Sequence, residues 1–490
     1  MQHAKLLGYL TLFALGGAGC LAIVSSQGGG EAELPIEPRA PNPRDVAVQP
    51  GYRLEVVAKD LTYPSGITFD DQGRAVVLEA GYAYGEDFAT GRLVRIEADG
   101  KKTVLAQGKN VPWTGVQYQG GDFYLVEGGT VEGGRIVKIG QDGKRTVLAE
   151  NLPSFGDHHT NGPAVGDDGY VYFGQGTATN SGVVGEDNWE FGWLKRHPAF
   201  HDIPCKDVTL TGENFTTDNP LTEDEDDEAV TGAFLPFAAA STKGQVIKGQ
   251  VPCSGAVMRV SKDGGPVELV AWGFRNPFGL RFAPNGKLYV TDNGYDTRGS
   301  RPVFGNADWL WEVEKGRWYG WPDFADGHRM DTASDNRYTP MFGDHIRSLV
   351  TTMDAPPPAP TALFPVHSSA TGLDFSRNAK FGFEGQAFVA LFGDMAANVG
   401  KVLNPVGYSV VRVDPKTGVM YDFAVNKGHR SEPASKNEGG GLERPVDVKF
   451  DPAGEKLYIV DYGTLVVDDD VTQGYRRTGV LWRIVPDGVK

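Results

Sequence analysis

Apolar residues along this chain recur in short runs that alternate with polar ones and stop at turn residues, the pattern of half-buried strands. Gly91-Arg92-Leu93-Val94-Arg95-Ile96, Asp99-Gly100-Lys101 and Thr103-Val104-Leu105-Ala106 read as strand, turn and strand. The series returns as Gly134-Arg135-Ile136-Val137-Lys138-Ile139, Asp142-Gly143-Lys144 and Thr146-Val147-Leu148-Ala149. A period in the low forties with four short strands per unit is the signature of a propeller blade. Six blade starts follow, near Gly66-Ile67, Gly115-Val116, Gly162-Pro163, Gly279-Leu280, Gly372-Leu373 and Pro445-Val446. Tyr52-Arg53-Leu54-Glu55-Val56-Val57 precedes the first of them. It is expected to add the outer strand of the last blade and close the ring, because closure removes exposed sheet edges. The predicted fold class is all-β: a six-bladed β-propeller over residues 51–490, with long loop insertions.

The pattern breaks in three places. Residues 1–26 carry Lys5 and then Leu6-Leu7-Gly8-Tyr9-Leu10-Thr11-Leu12-Phe13-Ala14-Leu15, followed by small residues. This reads as a signal peptide or as a lipoprotein or membrane anchor. Gly17-Ala18-Gly19-Cys20 resembles a bacterial lipoprotein box with Gly17 in place of the usual Leu, which makes Cys20 a candidate lipid-anchor site. Residues 27–50, rich in Gly, Pro and Glu, read as a linker. An insertion over about 177–253 holds Trp189, Phe191, Trp193 and Phe200, read as a small packed subcore, and the acidic run 223–228, read as a solvated loop without EF-hand spacing. Residues 325–364 read as a surface loop.

Composition changes this picture only a little. The net charge of −16, from 47 basic and 63 acidic residues, argues against a nucleic-acid partner. Of the three cysteines, Cys205 and Cys253 bracket the insertion. A disulfide between them suits an oxidising compartment, and two free thiols are the other reading. No Cys-x-x-Cys-His occurs, so no c-type haem is expected on this chain.

Candidate chemistry gathers at two strand ends. Gly273-Phe274-Arg275-Asn276-Pro277 precedes one apolar run, and an Asn285-Gly286 turn leads into a second run that ends at Asp292-Asn293-Gly294. In a propeller such ends line one mouth of the central channel. A cation beside an amide there suits an anionic or carbonyl-bearing ligand. Asp157-His158-His159 opens the third blade, and a histidine near its ordinary pKa is a natural general base.

These residues, with Tyr319-Gly320-Trp321-Pro322, resemble the glucose/sorbosone dehydrogenase family, the quinoproteins that oxidise sugars with pyrroloquinoline quinone (PQQ). The resemblance implies the same six-bladed fold, PQQ and Ca²⁺ as cofactors, and an aldose or related sugar as substrate, oxidised by hydride transfer from its C1. It puts the catalytic base on His158, with His159 as the substitute if the loop register differs by one. It puts charge stabilisation on Arg275, cofactor contacts on Asn276, Asn293 and Arg444, and Ca²⁺ on the backbone oxygens of Gly294 and Tyr295. The N-terminal segment itself points to an exported, periplasmic or extracellular protein, with a membrane tether where one is present, and with no haem on the chain its electrons are expected to pass to a separate acceptor, a cytochrome or a quinone. The chain departs from the family where an Asp orienting the histidine falls on Thr177, where a second clamp arginine falls on Val446, and where a Gln falls on Phe278. A fifth-blade Lys has no counterpart near Gly393-Asp394. Two other readings stay open: a metal-dependent lactonase-like hydrolase using Asp292, Asn293 and Glu79 or Glu127, and a non-catalytic propeller that binds a partner or glycan.

Overall fold

A computed structural model describes residues 39–488, apart from positions 131, 225, 332–337, 340–344, 352–354, 396–405, 429–431, 438 and 469–470. The expected signal or anchor, and Cys20 with it, lies outside the described residues.

Six antiparallel sheets stand around one axis. Their inner strands are Pro64–Phe69, Trp113–Gln119, Thr160–Val165, Pro277–Phe282, Ala370–Phe375 and Pro445–Phe450, so each predicted blade start lies in an inner strand. Each inner strand packs against the next, and the sixth packs against the first. The burial pattern follows from this. An inner strand has a blade on either side, so every residue of Pro64–Phe69 and of Ala370–Phe375 is buried. Outward, the alternation read from the sequence returns, as in Gly91–Ile96, and the outermost strand Lys102–Gly108 is largely exposed.

The ring closes as expected. Tyr52–Leu61 pairs antiparallel with Gly479–Pro486, with Tyr52 opposite Pro486 and Leu54 opposite Ile484. The chain joins the fold earlier than the linker reading implies. Val46–Val48 adds a fifth strand to blade 5, and Arg39 forms an ion pair with Asp461 at 2.8 Å. The insertion falls between the second and third strands of blade 3, Tyr170–Gln175 and Ala256–Ser261, and the Cys205–Cys253 disulfide ties an internal point of it to its C-terminal end. Trp193 and Phe200 are buried in a separate small core with Leu194 and Phe237. The described residues of the acidic run form a mostly exposed turn between Asn214–Asp218 and Glu228–Gly232. The 325–364 stretch is more than a surface loop. Ala362–Phe364 is the outer strand of blade 4, and Leu349 and Val350 are buried, their N–H groups bonded to Asp323.

Two features set up the mouth of the channel. In all six blades the register between inner and second strand shifts near the start of the inner strand, which bends the backbone there. In blades 4 and 6 a carboxylate at the end of the second strand then holds that bent backbone. Asp292 accepts from the N–H groups of Arg275 (3.2 Å) and Asn276 (2.7 Å) and from Trp311 Nε1 (3.3 Å). Asp461 accepts from the N–H groups of Glu443 (3.0 Å) and Arg444 (2.8 Å) and from Trp482 Nε1 (3.1 Å). The same Asp–Trp device thus places an arginine just ahead of two different inner strands.

The close approach of inner strands is steric as well as polar. A Cβ at Gly115 would stand 1.8 Å from the Gly162 carbonyl oxygen of the next blade. Gly115→Ala is expected to destabilise the protein by about 1–3 kcal/mol, as overpacking does. Urea unfolding of the variant beside the wild type checks this, and an unchanged midpoint would contradict it.

Candidate active site

Arg275 is buried and spends its guanidinium on the loops around it. Its Nε donates to the Asn180 carbonyl (3.1 Å), and its Nη2 donates to Asn180 Oδ1 (3.0 Å) and Asp296 Oδ2 (2.6 Å). Its Nη1 makes only a long contact, 3.4 Å, to the Asn293 carbonyl. A guanidinium has five N–H donors, so Nη1 keeps an N–H for a ligand. Beside it runs a chain of amides across three blades. Asn161 Nδ2 donates to Asn276 Oδ1 (3.0 Å), Asn276 Nδ2 to Asn293 Oδ1 (3.0 Å), and Asn293 Nδ2 to the Ala370 carbonyl (2.8 Å).

His158 is buried next to this group. Its Nδ1 lies 2.9 Å from the Thr177 carbonyl and 3.1 Å from Thr177 Oγ1. A carbonyl only accepts, so Nδ1 carries the proton and the lone pair is on Nε2. Burial, and then the charges of Arg275 and Arg298, hold the His158 pKa well below its ordinary value. The imidazole is therefore neutral at neutral pH and able to take a proton. Thr177, which stands where the resemblance calls for an orienting Asp, orients the ring with its backbone. Its N–H in turn donates to the Arg275 carbonyl at 2.9 Å, which ties the two residues into one unit. His159 points into a different environment. Its ring packs edge-on against Tyr82 and Trp193, and burial alone pushes its pKa down to about 4.

A half-buried ionic cluster surrounds the pair. Asp296 Oδ2 accepts from Arg275 and from Arg298 Nη2 (3.0 Å), while Arg298 Nη1 reaches Asp157 and Asp187, each at 2.7 Å. Although burial opposes it, Arg275 and then Arg298 hold the Asp296 carboxyl well below the usual range. Asp157 goes the other way, pushed up to about 6 by burial. Asn180 completes the cluster by donating to the Asp296 and Arg298 carbonyls at 2.8 and 3.0 Å. His367 Nδ1 lies 3.5 Å from Asp296 Oδ1, and its buried Nε2 has no hydrogen-bond partner among the described residues. Phe191, 48% exposed, lies against Arg298, its ring centre 5.1 Å from the guanidinium carbon.

The other predicted residues divide between two places. Gly294 and Tyr295 follow Asn293 directly and are held through their N–H groups by Asp308 and Asn306, at 2.8 and 2.9 Å. Their carbonyl oxygens accept no hydrogen bond among the described residues. Arg444 is engaged elsewhere. Its guanidinium donates to the carbonyls of Gly393, Asp394 and Leu465 and lies between the rings of Phe392 and Tyr408, so in this structure it pins the loops of blades 5 and 6. No hydrogen bond or ion pair joins it to the His158–Arg275 group among the described residues. Val446 and Phe278 pack in the apolar core between blades. The carboxylates of the lactonase reading are also committed: Glu79 to Arg92 and the Thr62 N–H, Glu127 to Arg145 and Asn110, and Asp292 to the backbone of its own blade. Asn161, Asn180, Asp296, Arg298 and His367 were not foreseen. Asp296 and Arg298 had a signal, since they continue the Asn293-Gly294-Tyr295 loop. Asn180 and His367 had none, because they arrive from the insertion and from the loop before blade 5.

No family model matches the chain, and neither does any curated protein. Solved structures do match. The holo form of the pyranose dehydrogenase PQQ domain from Coprinopsis cinerea superposes with a TM-score of 0.54 at 15% identity, covering 93% of this chain and 99% of that one. A calcium structure of a Trichoderma reesei protein of Carbohydrate-Active Enzymes family AA12 gives 0.53 at 15% identity, with 93% and 99% coverage. An iodide structure from the same family and organism gives 0.53 at 15%, with 93% and 100%. At this identity the likeness shows the fold. The chain is an all-β, six-bladed propeller of the architecture seen in those PQQ and AA12 domains, as the resemblance in the sequence implied.

The two vicinal histidines give a direct check on this geometry. Titration of ¹⁵N-histidine-labelled protein is expected to leave His158 neutral at pH 6 and His159 to titrate near 4. Protonation of His158 at its ordinary pKa of about 6.5 would contradict the buried, cation-flanked environment described here.

Proposed function

We propose that this protein oxidises an aldose or related sugar with PQQ and Ca²⁺. The observation that carries the reading is the pairing of a neutral, tautomer-fixed His158 with a buried Arg275, joined through Thr177 and each placed just ahead of an inner strand. The superposable structures, a holo pyranose dehydrogenase PQQ domain and a calcium structure of an AA12 protein, support the same chemistry.

His158 Nε2 takes the proton of the sugar C1 hydroxyl. Arg275 offers its spare Nη1 N–H and its charge to an oxygen that becomes anionic, a preorganised contact with no reorganisation cost at the moment of reaction. Asn276 and Asn293, whose amides form one hydrogen-bonded row beside Arg275, are the residues that would hold the cofactor with it. The unclaimed carbonyls of Gly294 and Tyr295 are oxygen donors of the kind a hard cation prefers. When bound, PQQ would supply the hydride acceptor, with Ca²⁺ polarising its reactive carbonyl. Arg444 enters this reading by position alone, its guanidinium being engaged with backbone carbonyls. Phe191 at the rim gives a sugar ring an apolar face to rest on. Electrons then leave to a separate acceptor, a cytochrome or a quinone. The protein works outside the cytoplasm, exported by its N-terminal segment, with lipidation at Cys20 as the tether where one is present.

Titrating residues 27–490 with PQQ and Ca²⁺, then adding a panel of aldoses, tests the proposal. Saturable binding followed by sugar-driven reduction is expected. His158→Ala should keep binding and lose about 10²- to 10⁴-fold in rate. An absence of binding at micromolar PQQ would overturn it.

The depressed histidine pKa also fixes the sign of the pH dependence. The base form prevails above the folded-state pKa, and that pKa lies below 6.5. The kcat/KM profile is therefore expected to stay on its plateau at pH 6.5 and to fall only at lower pH. Half-loss at 6.5 would contradict His158 as the base.

A further inference from the structure

Thr177 orients His158 with a neutral peptide oxygen, a weaker partner for an imidazole than a carboxylate. The other end of that peptide unit is occupied by a carboxylate. Asp202, 1% exposed, accepts the Ala178 N–H on Oδ1 at 2.6 Å, and its Oδ2 accepts from Thr179 Oγ1. The Thr177 carbonyl and the Ala178 N–H belong to one amide. The sequence of contacts is therefore Asp202 carboxylate to N–H, amide, carbonyl to Nδ1–H of His158. A second strand of bonds runs alongside: Thr177 Oγ1 donates to the Thr179 carbonyl at 2.7 Å, and Thr179 Oγ1 accepts the Gly182 N–H at 2.8 Å.

We propose that Asp202 is a positioning residue that acts on His158 through the Thr177–Ala178 peptide, standing in for a directly bonded carboxylate. A charge on the N–H side of an amide polarises it and makes its carbonyl oxygen a better acceptor, and bonds in such a chain strengthen one another. The effect is to hold the Nδ1–H tautomer, keep the ring fixed, and stabilise the imidazolium that forms when Nε2 takes a proton. Both oxygens of Asp202 accept hydrogen bonds, which is the pattern of the ionised form. No ion pair uses them among the described residues. Burial pushes the Asp202 pKa up to about 7, so the charge is fully present in mildly alkaline solution.

This also gives the insertion a purpose. Asp202 lies three residues before Cys205, and the disulfide to Cys253 returns that stretch to the third strand of blade 3. Ile203 and Ser254 bond to each other across the same junction, at 2.9 and 3.1 Å. The long excursion of blade 3 therefore comes back anchored directly under the histidine loop.

The kinetic consequence rests on the dehydrogenase reading, but the hydrogen-bond chain does not, so the test has two readouts. The first is the His158 imidazole resonances of apo protein labelled with ¹⁵N-histidine, recorded at pH 8.5 and assigned with His158→Gln. Asp202→Asn keeps the volume, removes the charge and puts an NH₂ where one acceptor was. The His158 Nδ1–H proton is expected to move upfield and the Nε2–H tautomer to appear. The second readout is turnover. The same variant should lose about 10- to 100-fold in kcat with KM unchanged, the scale on which outer partners of an active histidine act. Thr179→Val removes one of the two donors to Asp202 and should shift the resonance the same way by less, which keeps the test open if Asp202→Asn does not fold. Asp207→Asn, an exposed change at a residue paired with Lys248 and the Gly249 N–H, should change nothing. A His158 spectrum unaltered in folded Asp202→Asn, or in Thr179→Val where only that variant folds, would overturn the proposal. A shifted spectrum in a protein that no sugar reduces would keep the relay and sink the dehydrogenase reading.

Discussion

Asp292 holds the backbone N–H groups of Arg275 and Asn276, and most of the site depends on that hold. The inner strand of blade 4 must bend at its start, because its register with the second strand shifts there. A bend leaves backbone donors without a sheet partner, and a buried orphan donor costs about 1–3 kcal/mol. Asp292 satisfies two of them at once, and Trp311 satisfies Asp292 in return. With its backbone fixed, Arg275 meets Asn180 and Asp296, while Asn276 joins the amide chain from Asn161 to Ala370. The twin arrangement at Asp461 and Arg444 fixes a second arginine in the same way but leaves its guanidinium on backbone carbonyls. One device repeated around the ring thus yields one arginine with a donor to spare and one that ties loops together.

The charges at the mouth are held by mutual pairing, and removing any one of them leaves others exposed to a low-dielectric surrounding. Arg275 and Arg298 share Asp296, and Arg298 also holds Asp157 and Asp187. Removing one partner of such a half-buried group is costly mostly through the charge it leaves uncompensated. The same field does chemical work. Burial, and then the two guanidinium groups near His158, disfavour its protonated form, which keeps a base available without a carboxylate hydrogen-bonded to its ring. The carboxylate that the fold does provide, Asp202, is placed one peptide away, where it strengthens the Nδ1 bond and leaves the Nε2 lone pair free.

Much of the architecture was legible because blades repeat. Gly66, Gly115, Gly162, Gly279 and Gly372 mark inner strands, and closure by Tyr52–Leu61 followed from the need to cover an edge. Residues 39–50 were harder. A Pro-rich composition reads as tether, and three residues, Val46–Val48, are too short a strand to show a period. At the site, His158, Arg275, Asn276 and Asn293 drew notice because they stand beside turn and strand signals, while their roles, and the choice of Gly294 and Tyr295, came from the family resemblance alone. Thr177 was visible only as a missing Asp, since a sequence shows which side chain is absent and not which backbone atom takes its place. Asn180 and Asp202 sit in an insertion without periodicity, and the disulfide that positions Asp202 was one of two open readings. Arg444 shows the converse: its position was legible and its partners were not.

The most direct test of His158 as the base in sugar oxidation is a single turnover of protein loaded with PQQ and Ca²⁺, mixed with an aldose carrying either hydrogen or deuterium at C1. Sugar-driven reduction of the bound quinone is expected, slowed by deuterium and lost in His158→Ala while binding persists. Loaded protein that no aldose reduces, or reduction that survives intact in His158→Ala, would contradict it.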